Sequence, residues 1–407
     1  MELSVANASN RFPTLLVYDI LLSIFFHLDE SKGTLRSAGL VCQAWYDLAM
    51  DVLWAEHISL HDLLGVLSPL EKRGEHSRKK AFFMQPLTPQ RWSRFRSLAH
   101  RVRYAALLDP PLDSTLISEL SSSRPGSSPL LPGIRGLCLR VENIQHAFIW
   151  MNSSIDNLDF SLTINDSRLV DEEAELSEFF DGLGRLCPDL RNLRLEGQWT
   201  VAAMEPIGGL RGLRAVELSG GGVTTILLEL AKLPAVEILI LSQVPDFPLQ
   251  WPQLNATPFP KLKTLHIDWP TWPGATTFLH ALAEGGSHLK TLELGDCTHV
   301  DLEDIGMMTR AAGEHRHLER LVIYCDADTT ALHLSTLSRI LQCDSLIHLI
   351  LTVGGDITMV DEDFAVLVRS LPRIAHFLLE NYRGRTGLTL RALSIAVASW
   401  PYLETLS

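Results

Sequence analysis

Lysine and arginine are in short supply. The 407-residue chain has 35 of them against 48 Asp and Glu, a formal net charge of −13. Phosphate backbones and anionic headgroups repel such a balance, which argues against general nucleic-acid and membrane-surface binding. Cysteine is also sparse. Cys42, Cys138, Cys187, Cys297, Cys325 and Cys343 are scattered, with no CxxC pair. That is no disulfide framework, and it points to a reduced, intracellular protein. The most apolar run, residues 12–28, is interrupted by Asp19. It falls short of the ~20 residues a membrane span needs. The opening MELSVANASN lacks a basic segment followed by an apolar core, so no secretory leader is expected. The N-x-S/T matches at Asn7, Asn152, Asn165 and Asn255 carry no weight in an intracellular chain.

Catalytic spacings are missing too. HExxH, GxSxG, GxxxxGK[ST] and a Cys–His metal signature do not occur. Gly220-Gly221-Gly222 has no Lys-Ser/Thr after it and reads as a turn, not a phosphate cradle. His315-Arg316-His317 is the tightest histidine cluster, but residues two apart on a helix face different ways. A surface helix end is expected there. The acidic runs at 171–175 and 361–363 read as solvated helix starts, where the helix dipole favours carboxylates. No enzyme activity, metal or cofactor is expected.

Apolar residues are plentiful, at 46%. Near the N-terminus Ile20, Ile24 and Leu28, with Leu21 and Phe25 beside them, recur at helical spacing. Residues 29–33 break the pattern, and a second helix begins near Thr34. Val41, Trp45, Leu48 and Val52 then give a third helix with a wide apolar stripe. Three short helices bury little surface alone, so they lean on a partner chain or on the rest of their own. A DNA-reading helix-turn-helix would need basic residues on its third helix. Residues 41–53 contain no Lys or Arg and two Asp.

The ordered set Asp19-Ile20-Leu21, Ile24-Phe25, Leu28-Asp29, Leu40-Val41-Cys42, Trp45 and Leu53-Trp54 resembles an F-box of the kind common in fungal F-box proteins. The family usually has Pro-Glu where Tyr18-Asp19 stands here. The resemblance implies docking on the Skp-type adaptor of a cullin–RING ubiquitin ligase. Carried over by position, the adaptor contacts would be Ile20, Leu21, Ile24, Leu28, Leu40, Val41, Cys42 and Trp45.

Downstream, residues 58–70 are expected to form a fourth helix. The charge run 72–80 reads as a loop, and 92–104 as a helix followed by a strand near Val102 and Tyr104. The Ser/Pro/Gly stretch 121–133 reads as a linker or surface loop. From Ile134 onward the unit LxxLxL repeats. The last nine copies begin at Leu190, Leu213, Val236, Leu262, Leu289, Leu318, Leu346, Ile374 and Leu403, in steps of 23, 23, 26, 27, 29, 28, 28 and 29 residues. Helical patterns lie between them at 171–186, 225–233, 276–284, 302–312, 331–341, 361–371 and 389–399. One such unit cannot close its own core, so units stack and their strands form a parallel curved sheet. The expected class is α/β: an N-terminal helical F-box followed by a leucine-rich-repeat-like β-α solenoid. The expected boundaries are 12–70 for the F-box and following helix, 71–133 for a linker and irregular first repeat, and 134–407 for the solenoid. The repeats resemble those of F-box proteins. That family often places Asn or Cys shortly after the third Leu, and only Cys297 stands there. Pro245, Pro248, Pro252, Pro258, Pro260, Pro270 and Pro273 crowd two turns, which predicts irregularity.

Residues flanking the fourth position of each unit should line the sheet's open face. Near the C-terminus these are Val322, Ile350 and Leu378, with His348 and His376 beside them, and they are the candidate target-binding residues. Trp199, Trp269 and Trp272, just past strand ends, are candidate anchors. The expected role is a substrate receptor of an SCF-type ubiquitin ligase in the cytoplasm or nucleus, with a protein target. The alternative is a leucine-rich-repeat interaction scaffold unconnected with ubiquitin, its first helices capping the array.

Overall fold

The computed structural model describes residues 14–28, 31–55, 58–74, 80–107, 111–141, 143–162, 169–221, 223–242, 258–268, 272–297, 302–325, 332–381 and 385–406. The chain divides into two compact units, Met1–Val141 with His146–Ile155, and Glu142–Gln145 with Asp156–Ser407.

The first unit opens with three helices, α1 (Thr14–His27), α2 (Lys32–Gly39) and α3 (Gln43–Ala55). Next come β1 (Ile58–Ser59), α4 (Leu60–Gly65), β2 (Leu70–Arg73), β3 (Lys80–Phe83), α5 (Pro89–Ala99), β4 (Tyr104–Leu107), α6 (Ser114–Ser123) and β5 (Gly136–Val141). A short helix α7 (Gln145–Phe148) follows. Strands β1, β4 and β5 run parallel, with Ile58 opposite Ala105 and Ala105 opposite Leu137. Thr88 caps α5, its hydroxyl accepting from the Arg91 N–H, and Pro89 takes the first helical position, where no donor is lost. Trp92, Phe95 and Ala99 then point inward at helical spacing.

Several local expectations fail here for tertiary reasons. The helix expected over 58–70 starts late, because Ile58 and Ser59 pair with β4. It ends at Gly65, and Pro69 soon follows. The 72–80 run is no simple loop: its two ends belong to the antiparallel pair β2–β3, with Lys72 opposite Ala81. Residues 71–133 are likewise no linker. They carry parts of β2, all of β3, β4, α5 and α6, and bury Leu130 and Leu131. The inward pair of the first repeat lies three residues beyond the Val102 and Tyr104 expected for that strand. Ala105 and Leu107 point inward, whereas Tyr104 is exposed.

The second unit is a stack of β-α repeats. Its strands are β6 (Asn157–Leu162), β7 (Asn192–Glu196), β8 (Ala215–Ser219), β9 (Ile238–Ser242), β10 (Thr264–Asp268), β11 (Thr291–Cys297), β12 (Arg320–Cys325), β13 (His348–Val353), β14 (His376–Asn381) and β15 (Thr405–Leu406). They lie in chain order, each parallel to the next. Helices return the chain between them: α8 (Leu169–Leu186), α9 (Val201–Met204), α10 (Val223–Leu230), α11 (Trp272–Glu284), α12 (Leu302–Ala312), α13 (Asp361–Ser370) and α14 (Leu390–Ser399). This is the architecture of a leucine-rich-repeat protein.

The register shows why the pattern repeats. Leu158, Leu193, Val216, Leu239, Leu265, Leu292, Leu321, Leu349, Phe377 and Leu406 stand opposite one another across the ladder. Two residues on, Phe160, Leu195, Leu218, Leu241, Ile267, Leu294, Ile323, Leu351 and Leu379 form a second column. All but Leu379 and Leu406 are buried. Each such side chain contributes about 1.5–3 kcal/mol of burial, and only with a neighbour stacked on it. One carbonyl per repeat also reaches across. The Arg191 oxygen accepts from the N–H groups of Arg214 and Ala215, and the Arg214 oxygen from those of Glu237 and Ile238. The same step recurs up to Ala375 and Glu404.

The turns have their own constraints. Gly220 has φ of 111°, and a Cβ there would run into the Gly197 carbonyl. Gly220 and Gly221, the described part of the glycine triplet, therefore belong to a turn in which backbones approach closely. β11 carries a bulge between Leu294 and Cys297, which sets Cys297 opposite Cys325. Pro245, Pro248, Pro252 and Pro270, like Trp269, lie outside the described residues. At the end of that stretch Phe259 takes φ of 48°, a conformation costing about 1 kcal/mol or more for a non-glycine residue. Its fully buried ring, 6.0 Å from that of Phe278, offsets this.

Three expectations are corrected. Residues 331–341 form no α-helix. Short 3₁₀ segments at Leu334–Leu337 and Ile340–Gln342 replace it, and the Thr309 hydroxyl takes the Thr336 carbonyl that an α-helix would bond internally. Asp361 is buried, not solvated. It accepts from the Thr389 N–H and hydroxyl, at 2.9 and 2.5 Å, pinning one repeat to the next. His315 is also buried, in the turn after α12. Its Nε2 donates to the Leu279 carbonyl at 3.2 Å, and Ser287 Oγ lies 3.5 Å from its Nδ1.

Burial pushes the His315 pKa below its ordinary value, outweighing the opposing Leu279 hydrogen bond and the nearby Glu314 charge. The neutral ring is thus the native form, and the unfolded chain takes up the proton first. Stability from this residue is present above the unfolded pKa of about 6.5 and is lost as pH falls below it. Melting curves between pH 7.5 and 5.5 should show the midpoint falling, with a shallower fall in His315→Gln than in the parent.

Candidate docking surface

Helices α1 to α3 are held by a small core. Ser31 caps α2, its hydroxyl accepting from the Thr34 N–H at 3.4 Å. Gly39 ends that helix where any side chain would crowd Ala49, and this lets α2 approach α3. Phe25, Leu35, Leu48, Ala49 and Val52 are buried together, with Leu21, Leu22, Leu28, Ala38, Trp45 and Leu53 packed around them. Phe25 and Trp45 meet edge to face at 5.4 Å. The α3 end is tied down by Arg101, which reaches the Asp47 carbonyl and the Asp51 carboxylate.

That core does not use all the apolar side chains. Leu40 is 86% exposed, Val41 64%, Ile20 53% and Ile24 48%. Cys42 is exposed as well. Leu21, Leu28 and Trp45, from the same expected contact set, are half-buried and serve the core. The structure adds three large exposed side chains that the motif does not mark, Tyr18, Phe26 and Tyr46. The available signal was adjacency: Phe26 follows the core Phe25, and Tyr46 follows Trp45, so each must turn outward. Apolar side chains of this size, concentrated on one short helical unit and left in water, mark a contact surface.

The open face of the second unit's sheet is the other candidate. Arg194, Glu217, Ile240, His266, Glu293, Val322, Ile350 and Leu378 form one row across the strands. Asn192, Ala215, Ile238, Thr264, Thr291, Arg320, His348 and His376 form the next. The middle of the face is a polar network. His266 lies 2.7 Å from Asp268 and 3.2 Å from Glu293, and Arg320 Nε donates to Glu293 at 2.8 Å. Burial would raise the Glu293 pKa, but the Arg320 and His266 interactions outweigh it and hold the carboxyl below its ordinary value. His348 and His376 stack at 4.4 Å with their rings nearly parallel. Burial, then the neighbouring His376, keeps His348 below the usual imidazole range.

One expected contact is corrected. Val322 does not see solvent; it is fully buried. It stands in register between the longer Glu293 and Ile350 on the flanking strands, and Arg320 reaches across to Glu293. Ile350, Leu378, His348 and His376 are half-buried. Trp199 packs on Phe180 and is buried, so it is no free anchor. Trp272 and Pro273 belong to α11, but their side chains lie outside the described residues. Among the described residues no three His, Cys, Asp or Glu side chains are grouped to hold a metal ion, and no helix is long and apolar enough to cross a membrane.

A family model described as F-box-like matches residues 18–58, the span from the second turn of α1 through the start of β1. No curated protein matches the chain in sequence. Similar solved structures include an internalin from Listeria monocytogenes, 15% identical, with 71% of this chain and 88% of that one covered and a TM-score of 0.35. They also include a leucine-rich-repeat protein of Leptospira interrogans, 11% identical, with 80% and 93% covered and a TM-score of 0.27. Scores so low carry no argument. The repeat architecture rests on the register described above.

The split between core and surface can be tested by urea denaturation. Phe25→Ala should cost about 3–5 kcal/mol, as for a buried aromatic. Leu40→Ala should stay within about 0.5 kcal/mol, as for a side chain the fold does not use.

Proposed function

We propose that the chain is the substrate-recognition subunit of an SCF-type cullin–RING ubiquitin ligase. Helices α1 to α3 dock on a Skp-type adaptor. The stacked repeats hold a protein target, and the site of action is the cytoplasm or nucleus. One observation carries the reading: in the segment matched as F-box-like, Ile20, Ile24, Leu40 and Val41 stand in water above a core that is already complete. F-box domains generally bind Skp-type adaptors, and burying four such side chains at roughly 1.5–3 kcal/mol each is of the size needed for a stable contact. Leu21, Leu28, Cys42 and Trp45 border the surface. In this role no residue of the chain performs chemistry. It raises the effective concentration of target lysines near a ubiquitin carried elsewhere in the complex.

On the target side, the sheet face offers Ile350 and Leu378 beside the His348–His376 stack, with Val322 beneath them as support. Repeat proteins commonly bind along such a face.

Co-purification with the adaptor tests the assignment. Ile24→Asp combined with Leu40→Asp should abolish adaptor capture while leaving the melting temperature unchanged. Ile350→Glu with Leu378→Glu should leave adaptor capture intact. Capture that survives the first pair would leave the alternative, a repeat scaffold unconnected with ubiquitin.

A further inference from the structure

The first unit contains a cleft of about 780 Å³ that neither its core nor the exposed helical surface accounts for. It is lined by Lys32 and Arg36 of α2, by Met50, Leu53 and Trp54 of α3, and by Lys72 of β2. Ile58, Gly65, Leu70 and Ala81 add to its apolar wall, and Asp62 is the one carboxylate among the described residues that line it.

Three features set it apart. The first is its charge: among the described residues three cations stand against one carboxylate, with His61 also on the wall, in a chain whose net charge is −13. The second concerns the partners of these cations. Among the described residues no ion pair or side-chain hydrogen bond engages Lys32, Arg36 or Lys72. By contrast, Arg73 beside Lys72 pairs with Glu71, and Arg101 pairs with Asp47 and Asp51. The third is Trp54. Its half-buried indole has no ring partner and no hydrogen bond among the described residues, whereas Trp45 packs on Phe25.

Clustering like charges without counter-ions is unfavourable, and an anion in the cleft removes that cost. Arg36 offers the planar fork that suits phosphate, and the lysines act as point charges. The Trp54 indole, which lines the cleft together with Met50 and Leu53, suits a flat apolar body. The volume lies within the roughly 300–1,000 Å³ of small-molecule sites. We propose that this cleft binds a phosphate-bearing small molecule with a flat ring system, of the nucleotide class. An acidic segment of a protein shares the charge, but it would leave the apolar wall with Trp54 unused.

The full chain can be titrated with trinitrophenyl-ATP, reading probe fluorescence, with ATP as competitor. Gly65→Leu is the main variant. Nothing lies within 4 Å of a Cβ placed at that glycine, so leucine fills the cleft without straining the fold. Lys72→Glu is the second, reversing a charge away from the three N-terminal helices. Saturable binding displaced by ATP is expected, weakened about 10-fold or more by each variant, with melting temperature and adaptor capture unchanged. Absent binding, binding that ATP does not displace, or affinity indifferent to both variants would overturn the proposal. So would displacement by polyglutamate without displacement by ATP, which would assign the cleft to an acidic protein partner. Because adaptor capture is read in the same samples, failure here is distinct from failure of the ligase reading.

Discussion

The structure depends on one constraint: a single strand-and-helix repeat cannot cover its own apolar side chains. Leu292 and Leu294 leave water only because Leu265 and Ile267 lie on one side and Leu321 and Ile323 on the other. The repeats must therefore stack in one register, since a slip by a single residue would turn every column outward. The carbonyl preceding each strand supports that register by accepting two N–H groups from the next repeat. The open face follows from the same fact. With a period of two, the register that aligns the leucines also aligns Arg194 to Leu378 in a row on the opposite face.

The N-terminal helices meet the same force and satisfy it only in part. Five buried residues and their half-buried neighbours make a core, but a three-helix segment has too little interior for all its apolar side chains. The surplus remains on the surface as Ile20, Ile24, Leu40 and Val41. It is this surplus, beyond a complete core, on which the proposed docking role rests. No titratable group in either unit has to do chemistry for such a role.

Most of the architecture was legible in the residues. The LxxLxL spacing located strands β7 to β15, and the apolar stripes located α1, α3, α8 and α13. The helical spacing of the N-terminal apolar residues was legible, but which of them are buried was not. Leu21, Leu28 and Trp45 share helical spacing with Ile20 and Ile24, and only packing against Phe25 and Leu48 separates core from surface. Val322 reads as an open-face residue by period, yet it is fully buried between Glu293 and Ile350, its register neighbours 29 residues before it and 28 after. His315 read as a helix-end residue and proved to be a buried donor to Leu279, 36 residues away.

By itself, then, the sequence determined the repeating unit, its direction and the surplus of apolar side chains at the N-terminus. Each of these depends on spacing along the chain, which backbone geometry converts directly into faces. Tertiary structure alone decided which faces stay wet, where β1 interrupts an expected helix, and how Lys32, Arg36, Trp54 and Lys72 come to border one cleft. Those outcomes depend on neighbours far away in the chain, and burial is a property of such neighbours, not of local pattern.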